Sequence, residues 1–184
     1  MQRRASGKSY PYGRRGPRKS SSVSKSETVV AVKPRGSSPA RTPAQFGPLY
    51  IQRRVIVSPE FEDWVRGLGL PDPTPFEAMH VTVCYSTAPL QWPEPDRSGL
   101  VLASPERRID QFGSALVLVF ESPFLTARTE HLKALGASYD FPKYQPHVTL
   151  CYDYPGDAAA LQPFRGLLLL TGEELAVLDE DWRP

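Results

Sequence analysis

The sequence predicts an α+β fold: two mainly antiparallel sheets, related by a pseudo-two-fold axis and flanked by helices. Three observations predict it. The stretch His80-Val81-Thr82-Val83-Cys84-Tyr85 recurs 67 positions later as His147-Val148-Thr149-Leu150-Cys151-Tyr152, with Val against Leu as the sole change. A Ser-Pro pair precedes each copy, at Ser58-Pro59 and Ser122-Pro123. Each half then reads strand, Ser-Pro-capped helix, proline-rich link, His-x-Thr strand, a pattern that places two similar units around one core.

The 184 residues suit one domain plus an appendage. Residues 1–45 carry 11 Lys+Arg against the single acid Glu27, a formal +10, while residues 46–184 carry 11 Lys+Arg against 19 acids, a formal −8. The boundary therefore falls near residue 46. Residues 1–45, rich in Pro, Ser and Arg, hold too little apolar surface to offset the entropy of ordering, so a disordered basic tail is expected. It reads as a solvated leader or a piece of a longer precursor or fusion. A sequence-independent nucleic-acid contact is the sharper reading, because clustered Lys and Arg release counterions from phosphates. The frequent prolines speak against the amphipathic helix of a transit peptide. No run approaches the roughly 18 apolar residues of a membrane span, and no apolar stretch follows the basic start as in a secretory signal. Two cysteines at matching strand positions do not make the disulfide framework of a small secreted domain. A cytoplasmic protein with reduced thiols is expected.

Within the body, residues 49–57 end in the β-branched run Val55-Ile56-Val57, a strand signal. Ser58, Pro59 and Glu60 start a helix as cap, first-turn proline and first-turn acid, with Phe61, Trp64, Val65 and Leu68 at helical spacing. Gly67 and Gly69 end it. A turn-rich link, 71–75, leads to the first His-x-Thr strand, and 86–99 reads as a loop. Residues 100–102 and 107–112 read as short strands around a turn at Pro105, and the apolar run 115–120 as a buried strand. Ser122-Pro123 opens a second helix closed by Gly136, which carries His131 as a surface or interface side chain. The link 139–146 then leads to the second His-x-Thr strand. Residues 167–171 and 175–178 read as a terminal hairpin around Gly172-Glu173-Glu174.

In a strand, residues i and i+2 share a face. His80, Thr82 and Cys84 are thus expected on one side, with Val81, Val83 and Tyr85 on the other, and likewise in the second copy. Two such strands set together bring two imidazoles and two hydroxyls to one cleft. Imidazoles near their ordinary pKa serve as general acid and general base at neutral pH, and the hydroxyls of Thr82 and Thr149 can donate to phosphate oxygens where charge grows. The chemistry needs no metal or other cofactor, and no cluster with metal-ligand spacing is present. Cys84 and Cys151 read as packing residues, since no neighbour in sequence would activate a thiol.

Taken with these residues, the flanks "MHVTVCYS", "APLQWP" and "YDFPKYQPHVTLCYD" resemble the 2H phosphoesterase superfamily, and within it the phage anti-CBASS phosphodiesterases. The resemblance spans roughly residues 49–182. It implies the bilobal, RNA ligase-like fold and cleavage of the 3′–5′ bonds of cyclic di- and trinucleotide messengers in the infected bacterial cytoplasm. It implies that His80 and His147 are the acid/base pair and that Thr82 and Thr149 bind phosphate. It also implies that Tyr50 stacks a base, that Glu173 or Glu174 and Trp182 contact the base, and that Trp92 is a further stacking candidate. The acidic body would repel a polyanion, so either Arg53, Arg54 or Lys143 serves as a local cation or the basic tail assists. Alternatives on the same scaffold are an RNA 2′,3′-cyclic phosphodiesterase or 2′,5′-ligase-like enzyme; outside catalysis, a cyclic-nucleotide sponge or RNA-binding module. The identical repeats leave open which histidine is acid and which is base.

Overall fold

The computed structural model describes residues 28–30, 46–103, 106–139 and 143–178. In chain order these form strands β1 (Thr28–Val30) and β2 (Phe46–Ile56), helix α1 (Pro59–Gly67), strands β3 (His80–Gln91), β4 (Gly99–Leu102), β5 (Arg107–Phe112) and β6 (Ala115–Phe120), helix α2 (Pro123–Ala134), and strands β7 (His147–Tyr152), β8 (Leu168–Leu170) and β9 (Glu174–Val177). The fold is α+β with two sheets, in which every strand pairing is antiparallel. The larger runs β1-β4-β8-β2-β3, with β9 also on β2; the smaller is β5-β6-β7. One apolar core, from Leu49 to Leu170, joins both sheets and both helices.

Both helices start as their sequences dictate. The Ser58 hydroxyl accepts from the Phe61 N–H, the Ser122 hydroxyl accepts from the Leu125 N–H, and each proline fills the first turn, where no N–H is needed. The strands that deliver the two histidines are gripped alike: Val55 N–H donates to Met79 O, and Phe120 N–H to Pro146 O, each carbonyl directly preceding a histidine.

Four local expectations are corrected. Residues 86–91 are not loop but the continuation of β3, where Gly47 pairs with Leu90 and Leu49 with Ser86. A register shift between these pairs lets Pro89 sit without a ladder N–H. Thr28–Val30, inside the stretch expected to be a disordered tail, pairs with β4, as a short β-branched run can; the rest of 1–45 lies outside the described residues. The strands at 100–102 and 107–112 do not share a sheet. Finally, β8 and β9 do not form a hairpin. Both run antiparallel to β2, end to end along one edge, with Leu170 opposite Val55 and Glu174 opposite Gln52. Residues 171–173 bulge out between them, and Gly172 passes so close to the Arg97 backbone that a Cβ would meet its carbonyl oxygen at 2.7 Å.

The histidine strands are the facing edges of the two sheets and touch one another. Each exposed edge is covered by the other half. The Tyr144 hydroxyl donates to Thr82 O at 2.9 Å, and the Thr129 hydroxyl, from α2, to Val83 O at 3.0 Å. On the other edge, Thr74 N–H donates to Leu150 O at 2.7 Å and Pro73 bridges to Cys151. This satisfies edge groups that would otherwise invite pairing with another chain.

Candidate active site

Each histidine is oriented by its own backbone. His80 Nδ1 lies 2.7 Å from Ala78 O, and His147 Nδ1 lies 2.8 Å from Gln145 O, in both cases the carbonyl two residues back. A carbonyl only accepts, so in the neutral ring Nδ1 carries the proton and Nε2 keeps its lone pair. The imidazoles are near enough for their charges to interact. Thr82 and Thr149 sit beside them, half-buried.

Alternation breaks after the threonines. Opposite β2, Cys84 pairs with Ile51 and Thr82 with Gln52, so Val83 has no partner; opposite β6, Cys151 pairs with Leu116 and Thr149 with Val117, so Leu150 has none. These matching bulges invert the side-chain parity. Val83 and Cys84 are buried in succession, as are Leu150 and Cys151. The expectation that Cys84 and Cys151 share the histidine face is therefore wrong. Burial pushes the Cys84 thiol up to about 11 and also raises Cys151. Tyr85 and Tyr152 take the cleft side instead: the Tyr85 ring meets Tyr50 edge-on at 6.4 Å, and Tyr152 is near enough to influence the Tyr50 phenol.

Cross-strand partners share a face, which extends the cleft wall on both sides. Beside His80 stands Arg54; beside Thr82 stand Gln52 and then Glu174; beside Tyr85 stands Tyr50. The Tyr50 hydroxyl reaches His80 Nε2 at 2.8 Å and Thr82 Oγ1 at 3.0 Å. Burial pushes that phenol up, so it stays protonated and donates to the imidazole. Beside His147 stand Val119 and then Arg108; beside Thr149 stand Val117 and Asp110. Val117 and Val119 are buried under this wall rather than in the main core. The Phe112 ring meets His147 edge-on at 5.1 Å. One histidine thus has a polar neighbourhood and the other an apolar one. Burial holds His147 below its ordinary range, and the His80 charge acts the same way, against the opposing effect of the Gln145 hydrogen bond.

Other sequence candidates fall elsewhere. Glu174 is at the cleft: it clasps the Arg54 Nε with both oxygens (3.0 and 2.9 Å) and accepts from Gln52. Burial opposes ionisation of Glu174, but the Arg54 and Gln52 hydrogen bonds with the Arg54 and His80 charges outweigh it and hold the carboxyl below its usual range. Glu173 is turned into the protein interior. It is 2% exposed and bound to Arg128 at 2.9 and 2.8 Å and to the Asp96 N–H, with Arg53 at 3.6 Å. Arg53, fully buried, is likewise unavailable: it donates to Ser98 O, Thr171 O and Asp96 and lies over the Phe124 ring. Arg53 could not have been recognised as buried from a strand of apparently alternating polarity. Trp92 packs against the core. Lys143 is exposed, beside a cleft that also borders Gln145. Trp182 lies outside the described residues. Sequence reasoning missed Tyr85, Tyr152, Gln52, Arg108, Asp110 and Phe112. The two tyrosines were visible in the repeat, but the bulges that turn them inward were not.

Fold and site together define a class: a two-sheet α+β protein in which each half contributes one His-x-Thr strand and the two strands touch. A sequence profile described as "Anti-CBASS protein Acb1" matches residues 47–184, and the chain belongs to that family. Similar proteins carry the same description. The one from Sphingomonas paeninsulae is 35% identical over 149 residues, covering 74% of this chain and 24% of its own length. The Caulobacter sp. (strain RHG1) protein is 33% identical over 153 residues, 78% of this chain and 24% of its own length. The Enterobacteria phage T4 protein is 39% identical over 94 residues, 50% of this chain and 62% of its own length. The chain thus spans about a quarter of the two bacterial relatives. Among the described residues, no helix is long and apolar enough to cross a membrane.

Proposed function

We propose that the chain is a metal-independent phosphodiesterase of the 2H phosphoesterase type, with the two-lobed, pseudo-symmetric fold of that superfamily. On this reading it opens 3′–5′ bonds of cyclic di- and trinucleotide messengers and so blocks CBASS antiviral signalling. The observation that carries the reading is the pair of imidazoles on touching strands, each fixed through Nδ1 by the carbonyl two residues back and each two residues before a threonine on its strand.

The asymmetric surroundings suggest the division of labour. His147, kept neutral by its apolar pocket, takes the proton from the attacking oxygen, a ribose 2′-hydroxyl or a water. His80, on the polar side of the pair, delivers a proton to the leaving 5′-oxygen as the phosphorus–oxygen bond breaks. Thr82 and Thr149 donate to the non-bridging oxygens. Tyr50 holds His80 in place until substrate arrives.

The test is turnover of a cyclic oligoadenylate in excess EDTA, with linear product followed by chromatography. Activity should persist, and His80→Ala and His147→Ala should each reduce it by about 10²–10⁴-fold, the usual contribution of a positioned acid or base. Loss of activity on chelation, or intact messenger with the unaltered chain, rejects the reading. Faster processing of linear RNA ends bearing a 2′,3′-cyclic phosphate would favour the RNA-end enzyme instead, and tight binding without product a sponge.

A further inference from the structure

A cyclic di- or trinucleotide carries more than one phosphate, yet the two histidines and two threonines surround only one. On the His80 side Arg53 is buried among acceptors, and Arg54 divides its donors between both oxygens of Glu174 and the Glu77 carbonyl. The His147 side differs. Arg108 stands in the same cross-strand row as His147, separated from it by Val119. Its Nε is tied to Asp110 at 3.1 Å and its Nη2 to Gln145 Oε1 at 2.8 Å, so the guanidinium is held in orientation while its side chain stays 54% exposed. Gln145 also supplies the carbonyl that fixes His147. A cleft of about 450 Å³ opens at this point, lined among others by Arg108, Val119, Glu121, Ser122, Lys143 and Gln145. Lys143 has no carboxylate partner among the described residues. An exposed pair such as Arg108–Asp110 contributes little by itself, so a phosphate can take over the free edge of the guanidinium.

We propose that this cleft is a second phosphate subsite, in which Arg108 and Lys143 hold the phosphate adjacent to the one placed between the histidines. The proposal rests on the cyclic-oligonucleotide reading and names its missing contact. Glu121, which also lines the cleft, opposes the bound anion and limits its affinity.

The experiment measures, on the full chain, binding of a non-hydrolysable phosphorothioate cyclic diadenylate and of adenosine 2′,3′-cyclic phosphate, which has one phosphate. In Arg108→Gln/Lys143→Gln, affinity for the two-phosphate ligand should fall about ten-fold more than affinity for the one-phosphate ligand, as expected for loss of charged hydrogen bonds. Its dependence on salt should weaken as well. Glu121→Gln should tighten the two-phosphate ligand, a change that a merely structural role for Arg108 would not produce. Equal losses for both ligands, or no loss, overturn the proposal. If the unaltered chain binds the phosphorothioate with these shifts but does not cleave the natural cyclic diadenylate, the subsite stands and the enzyme reading falls. If it binds no two-phosphate ligand, both fall.

Discussion

Burial against Phe112 and Val119 holds the His147 imidazole below its ordinary titration range, whereas His80 stands among Tyr50, Arg54, Gln52 and Glu174. The difference arises entirely in the neighbours, since both rings make the same bond to the carbonyl two residues back. It has a measurable consequence. A base with lowered pKa remains neutral to lower pH, so activity should decline on the acid side below the ordinary histidine value of about 6.5. Phe112→Ala admits water to the ring, relieves the desolvation and raises the pKa. The acid limb of kcat/KM against pH should therefore move upward in that variant, and an unmoved limb would exclude His147 as the titrating base. The same residue scale explains why Glu173 and Glu174, adjacent in sequence, differ in kind. One is sealed between Arg53 and Arg128, and the other is an exposed partner of Arg54.

At the scale of elements, two irregularities do most to shape the site. The bulges at Val83 and Leu150 shift side-chain parity by one. They send both cysteines into the core, at 4% and 0% exposure, and bring Tyr85 and Tyr152 to the cleft side. Native protein at neutral pH should therefore fail to react with a water-soluble thiol reagent such as Ellman's, while both thiols react after unfolding in urea. Rapid labelling of the native protein would mean that the strands alternate without a break. The second irregularity is the bulge between β8 and β9, which turns Glu173 inward to Arg53, Arg128 and the Asp96 backbone. Removing one partner from a buried charge cluster costs about 3–5 kcal/mol, whereas an exposed pair contributes about 0–1 kcal/mol. Equilibrium urea unfolding should thus show Glu173→Ala strongly destabilised and Glu174→Ala nearly unchanged.

For the whole molecule, the decisive feature is that each half covers the other's edge. Tyr144 and Thr129 from the second half satisfy carbonyls of β3, and Thr74 from the first half satisfies β7. The two histidine strands therefore meet only when both halves are folded. Tyr144→Phe keeps the ring and removes the bond to Thr82 O. It should cost about 1–3 kcal/mol, the penalty for leaving a buried acceptor unpaired, and it should lower activity by loosening His80 relative to His147. Unchanged stability and activity would show that the contact does not hold the halves in register.

The sequence by itself determined the α+β class, the two Ser-Pro helix starts and the repeat that matches His80 with His147 and Thr82 with Thr149. These rest on local rules: cap chemistry, the Pro–Gly punctuation of helices and an identical repeat. Only the tertiary structure decided the parity after Thr82 and Thr149, because an extra residue in a strand is defined by its partner strand and not by its own composition. The same holds for residues 86–91, which read as loop until β2 supplied their ladder, and for 172–174, which read as a hairpin turn until β2 accepted both flanking strands. Arg53 shows the limit most clearly. A strand arginine looks solvent-exposed in sequence, and only the convergence of Asp96, Glu173, Ser98 and Thr171 around it makes burial tolerable. The two copies of His-Val-Thr are interchangeable as sequence. What makes them chemically different is the sheet laid beside each, polar beside His80 and apolar beside His147.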